Sequence, residues 1–156
     1  MYGNPKDPTM QSKAEDSKKK EETITWEAAE AASRLSEQRF QHGDVDGLVS
    51  KYAENVVIRF ATLPEIHGRE AARRWLEKRL KRQLNYTLQK VVLAIDGQKV
   101  TRSWTGTWVD AISKKNMQGR GMEFLEYADG KLAVWDACFH VWESGRQTES
   151  EYFDAA

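Results

Sequence analysis

The stretch GMEFLEYADGKLAVWDACFHVW, residues 121–142, reads as two apolar strands joined at Asp129-Gly130. Glu123, Asp136 and His140 nevertheless fall well inside those strands. The way the turn closes decides where each of them points, because a slip of one residue sends a strand's side chains to the opposite face. As a two-residue mirror-type turn, Asp129-Gly130 pairs Ala128 with Lys131 and sets Glu123 opposite Asp136. As a three-residue loop with Gly130 in a left-handed bulge, the hairpin pairs Tyr127 with Lys131 and sets Glu123 opposite Trp135. The first register brings two carboxylates to a Cβ separation of about 5 Å, which is destabilising unless a cation or shared proton intervenes. The second gathers Glu123, Leu125, Tyr127, Ala133, Trp135, Ala137 and Phe139 into one aromatic wall with a single acid. Met122, Phe124, Leu132, Val134, Asp136, Cys138 and His140 then share the other face. The sequence favours the second register.

Outward from this hairpin, period-two alternation continues through YTLQKVVLAI and KVTRSWTGTWV, with breaks at Asp96-Gly97 and in a polar loop near 111–118. Upstream the period is helical. A helix should start near Thr25, with Thr23 or Thr25 and a nearby glutamate acting in the manner of a capping box. It carries Trp26, Ala29, Ser36 and Phe40 at helical spacing and ends at His42-Gly43. Asp44 then caps a short second helix in VDGLVSKYA, and NVVIRFATL suits a strand. REAARRWLEKRLKRQ is a third helix with Ala72, Trp75, Leu76 and Leu80 along one side. Helices first and antiparallel hairpins afterwards predict an α+β fold, with helices covering one sheet face.

Composition narrows the partners. Twenty-four basic and 24 acidic side chains cancel to a net charge of +0, so no global field draws the chain toward nucleic acid or membrane. The lone cysteine, Cys138, reads as a buried small hydrophobe in a reducing interior. No apolar run approaches the ~20 residues of a membrane span. MYGNPKDPTM has no signal-peptide core, so a cytoplasmic location is expected. Residues 1–23 read as a disordered polar tail with a lysine run at 18–20, 24–145 as one domain, and 146–156 as a C-terminal tail. Both sheet faces look apolar, with Trp104, Trp108, Trp135 and Trp142 on adjacent strands. A second copy of the chain covering one face, hence a homodimer through the sheet, is expected.

The order helix–GD–helix–YAENVVIRF, then HGRE opening the third helix, then strands with DGK in the last hairpin, resembles the SnoaL-like branch of the nuclear transport factor 2-like superfamily over residues 26–143. The resemblance implies a three-helix cone on a curved antiparallel sheet around an apolar pocket, usually in a dimer. Members include isomerases, polyketide cyclases, dehydratases and epoxide hydrolases beside binding proteins without chemistry. Of the positions that the family's isomerases use, Ser36 stands where a tyrosine would be, Phe60 or Ala61 where a carboxylate base would be, and Glu123 alone keeps an acid.

The expected site is therefore an aromatic pocket containing Glu123. A desolvated carboxyl either takes up a proton or pairs with a cation, and Arg59 on the first strand is the cation named. Trp135, Phe139, Trp104, Trp108, Phe60, Ser36 and Trp75 would line the pocket. His140 and Asp136 on the other face are secondary candidates, and His67 is a candidate for the pocket rim. The scattered histidines have no metal-ligand spacing, and no GxSxG, P-loop or GxGxxG occurs. No cofactor or metal is expected. The arginines and lysines of the third helix read as solvated surface. The expected function is binding of a small hydrophobic metabolite, with cofactor-free acid–base isomerisation, dehydration or cyclisation. A non-catalytic binding or interaction module is the alternative.

Overall fold

The protein's structure, a computed structural model, describes residues 22–145. The expected tails at 1–23 and 146–156 lie outside the described residues, apart from Glu22 and Thr23. Helix α1 (Trp26–His42) and the short α2 (Val45–Val49) precede strand β1 (Tyr52–Phe60) and the two-residue β2 (Ile66–His67). Helix α3 (Arg69–Arg82) leads into β3 (Gln83–Asp96), β4 (Lys99–Asp110), β5 (Asn116–Ala128) and β6 (Lys131–Glu143). The architecture is the expected α+β cone, three helices on one face of a curved sheet. The sheet order is β2-β1-β6-β5-β4-β3. It is mixed rather than wholly antiparallel, because β1 runs parallel to β6. No described helix is long and apolar enough to cross a membrane.

Local chemistry sets the helix ends. Thr25 Oγ1 accepts from Ala28 N at 3.1 Å, and Gly43 closes α1 in the left-handed region at φ +68°. Since Ala28 occupies the third helical position, the glutamate half of the expected capping box is missing. On α3 most of the basic side chains face outward, as expected. Arg79 instead turns inward and lies over the rings of Phe40, Phe60 and Trp75.

The hairpin closes differently from the expected register. Asp129 and Gly130 both have positive φ, +50° and +69°, so the turn has two residues and Ala128 faces Lys131. The pairing then shifts: Tyr127 faces Leu132 while Glu126 faces Val134, leaving Ala133 as an extra residue in a bulge. Beyond the bulge Glu123 faces Ala137, not Asp136 or Trp135. The reason is burial. Leu132 and Trp135 are three residues apart and turn inward together only across an inserted residue, and both are buried. The bulge thus hides a leucine where the expected register would have hidden Ala133, a gain of about 0.8 kcal/mol per additional buried CH₂. Parity is preserved, and Glu123 still shares the inner face with Leu125, Trp135 and Ala137.

The core fills the cone. Phe60 packs against Trp75, Trp135 and Phe139 with ring centroids 4.9, 5.5 and 4.4 Å away. Trp104 lies over Gly119 and Gly121, where a Cβ would meet its indole at 3.1 and 2.8 Å. Cys138 is exposed on the outer face of β6, contrary to the buried role expected of it.

Candidate functional site

Alternation along two strands builds the site. On β3 the inward positions are Tyr86, Leu88, Lys90 and Val92; on β4 they are Val100, Arg102, Trp104 and Trp108. Two basic residues therefore point into the cone among aromatic ones. Arg102 is the direct cross-strand neighbour of Glu123, and its Nε donates to Glu123 Oε2 at 2.5 Å. Lys90 reaches across β4 from the edge strand, and its Nζ donates to both carboxylate oxygens at 3.0 Å. The side chains of Glu123 and Lys90 are 3% and 1% exposed, so the cluster is dry. Ser33 on α1 accepts from Arg102 Nη1 at 3.2 Å and donates to Ala29 O. The edge strand is pinned to the same helix: Lys90 N donates to Glu37 Oε1 and Gln41 Nε2 to Leu88 O.

Burial and partners pull the proton equilibria in opposite directions. Burial pushes the Glu123 carboxyl up, but Arg102 and Lys90 outweigh it and hold it at about 2. Glu123 is thus an ionised acceptor, not a neutral acid. Burial, aided by Arg102, draws the Lys90 ammonium down to about 7 against the opposing pull of Glu123. Burial raises the hydroxyls of Tyr52, Tyr86 and Tyr127, which stay neutral donors.

Arg102 connects this cluster to open space. A cavity of about 270 Å³ lies between α1, α2 and the β5–β6 turn. Its walls include Phe40, Leu48, Tyr52, Tyr127, Leu132 and Trp135, with Ser36 and Arg102. Its size sits at the lower edge of small-molecule pockets, about 300–1,000 Å³.

Of the residues expected to line a pocket, Trp135 and Ser36 do so. Phe60, Trp75 and Phe139 pack on one another and on Trp135, and Trp104 on Phe139, deeper in the core; none of them, nor Trp108, borders the cavity. Arg59 is not the partner of Glu123. It points outward and binds Glu65 at 2.8 Å, because its neighbours Ile58 and Phe60 take the inward positions. His140 and Asp136 occupy the outer face, where His140 stacks on Trp142 at 5.5 Å. His67 is exposed, 3.1 Å from Glu65. Among the described residues, no group of three His, Cys, Asp or Glu side chains could hold a metal ion. Sequence reasoning missed Lys90 and Arg102, although each interrupts an inward apolar row.

Three helices over a curved mixed sheet give this chain the nuclear transport factor 2-like cone fold. The chain belongs to the SnoaL-like domain family, whose model matches residues 32–135. No curated protein sequence matches it. Its fold is similar to that of an epoxide hydrolase/cyclase-like enzyme of pyran ring formation in the polyether salinomycin, at 15% identity and TM-score 0.65, over 77% of this chain and 99% of that one. It is also similar to a candidate polyketide cyclase from Xanthomonas campestris pv. campestris, at 23% identity and TM-score 0.60, over 70% and 87%. An LEH-like epoxide hydrolase of M. tuberculosis shows 18% identity and TM-score 0.57, over 70% and 80%.

Proposed function

We propose that this chain binds a small, mainly apolar metabolite in the cavity beside Arg102 and promotes a proton-transfer reaction on it with its own side chains alone. The reaction class is isomerisation, dehydration or cyclisation. One observation carries this reading: Arg102 is 5% exposed, borders the cavity, and is fixed from behind by Glu123 and Ser33. A guanidinium held rigidly in a dry site stabilises negative charge developing on a ligand carbonyl or enolate oxygen. Lys90 braces Glu123 from its other side, its Nζ 3.0 Å from both carboxylate oxygens. Glu123 is a positioning residue here, since both its oxygens are engaged and it does not border the cavity. Ser36, Tyr52 and Tyr127 orient the ligand.

The test is Trp fluorescence titration against aromatic and terpenoid metabolites, followed by product analysis of every binder. The expected result is quenching with turnover that Arg102→Gln abolishes. Quenching without product across the panel supports a second reading, a non-catalytic binding protein. That reading draws on Phe60 and Ala61, neither of which supplies a carboxylate at the position where the family's isomerases carry their base.

The same proposal includes a second copy of the chain on the outer face of the sheet. There β5 exposes Met122 and Phe124, and β3 exposes Val91 and Leu93. Large apolar side chains on one open face mark an interaction surface.

A further inference from the structure

The walls of the cavity carry three basic side chains, Arg39, Lys51 and Arg102, and among the described residues no Asp or Glu lines it. These cations are not equivalent. Lys51 is exposed, Arg39 leans on Asp44 at 3.8 Å, and Arg102 is buried. Behind Arg102 one carboxylate, Glu123, serves two cations, so the protonated cluster keeps an uncompensated positive charge. The Lys90 ammonium lies 5.3 Å from the Phe40 ring and 5.8 Å from the Trp135 ring, against two walls of the same cavity. One leftover donor points the same way. Among the described residues the buried side-chain atoms without a hydrogen-bond partner are Arg79 Nη1, Trp104 Nε1 and Trp135 Nε1, all of them donors. Trp135 also forms part of the cavity wall. A cavity wall with surplus positive charge and an unpaired indole donor is completed by an acceptor-rich anion.

We infer that the cavity selects a metabolite carrying a carboxylate, that the acid group binds inward at Arg102 with the apolar body toward the mouth, and that its binding is linked to protonation of Lys90. This rests on the small-molecule reading above and narrows it to organic acids. The linkage follows from charge. The groups facing Lys90 are Glu123 on β5, Arg102 on β4 and Arg79 on α3, with the Glu37 carboxylate of α1 on its backbone N–H. With Lys90 neutral, Glu123 and Arg102 cancel, and the anion meets one positive charge fewer at the Arg102 end of the cavity. A bound carboxylate stabilises the charged form of Lys90, so above neutral pH the protein takes up a proton at Lys90 as the acid binds.

The test is calorimetric titration of the full chain with arylalkanoic acids, 3-phenylpropionate and 1-naphthylacetate among them, each paired with its isosteric amide, at pH 6 and pH 8.5. At pH 6 the acids should bind at least about tenfold tighter than their amides, one charge-assisted hydrogen bond's worth of discrimination. At pH 8.5 the preference should shrink, and titration in two buffers of different ionisation enthalpy should register proton uptake. Lys90→Met should remove both the uptake and the pH dependence. Arg102→Gln should abolish the acid preference while Lys51→Gln keeps it; should Arg102→Gln fail to fold, Arg102→Lys and the wild-type pH profile carry the same test. Amides binding as well as acids overturn the inference and leave the small-molecule reading standing. An acid preference lost in Lys51→Gln and kept in Arg102→Gln overturns the inward orientation. Absence of binding by every acid and amide removes both readings together.

Discussion

Glu123 sits between a lysine and an arginine that it alone compensates, so its charge is worth more to the fold than most. Glu123→Gln leaves two buried cations without a counter-charge, a change that costs about 3–5 kcal/mol when one partner of a buried pair is removed; urea unfolding at pH 6, where Lys90 is charged, checks it. The pH profile carries the same cluster's signature. Glu123 falls from 4.5 to about 2 on folding, so its contribution is complete above pH 4.5 and lost toward pH 2. Lys90 falls from 10.5 to about 7, so between those values the unfolded chain holds a proton that the native one has released. Stability should therefore rise from pH 7 toward pH 10, and Lys90→Met should flatten that rise in chemical denaturation series. An unchanged slope in Lys90→Met would show that the lysine keeps its ordinary proton affinity. At this scale the acid was legible and its partners were only half so. Period two already set Lys90 in line with Tyr86, Leu88 and Val92, and Arg102 in line with Trp104. The same rule placed Arg59 outside, between Ile58 and Phe60. What the sequence does not display is reach: Lys90 meets Glu123 from two strands away, about 9–10 Å at ordinary strand spacing.

At the level of elements, β5 works by having no side chains at two inward positions. Gly119 and Gly121 let the Trp104 indole lie flat on the strand, and Gly121 has little space to spare. A Cβ there would meet the Cys138 carbonyl oxygen, with Phe139 Cβ at 2.6 Å and Trp104 Nε1 at 2.8 Å. Gly121→Ala should destabilise by about 1–3 kcal/mol or more through overpacking, whereas Gly97→Ala has open space and meets only backbone strain at φ +57°. Thermal unfolding of the pair separates crowding from conformational cost; equal losses would sink the packing argument. Helices, strands and their order could be read from periodicity because each element is amphipathic over many residues. The bulge at Ala133 could not. It reflects a choice between burying Leu132 or Ala133 beside Trp135, and that choice depends on how α1 and α2 close over the hairpin. The parallel pairing of β1 with β6 was hidden for a similar reason. It joins residues 77 to 80 positions apart, where no local pattern records direction.

For the whole molecule, the cone separates two surfaces of different purpose. The inner face holds the aromatic core and the ion cluster, and the outer face carries Val91, Leu93, Met122 and Phe124 in the open. Ser103 pairs with Val91 on one side and Met122 on the other, and Thr101 pairs with Phe124, so small hydroxyl side chains on β4 separate the exposed apolar residues of β3 and β5. Cys138 lies opposite Met122, also exposed. A symmetric contact through this face would bury each of these side chains twice, once per copy, at about 25 cal/mol per Å² of apolar area. Sedimentation velocity at micromolar concentration should therefore give a dimer, and Phe124→Glu should give a folded monomer, since the face it charges plays no part in the core. The ion cluster and cavity lie on the other side of the sheet, so the monomeric variant should keep the wild-type response of ligand binding to pH. A wild-type monomer would leave the outer face open to another partner, and a Phe124→Glu variant that stays dimeric would place the contact elsewhere on the surface.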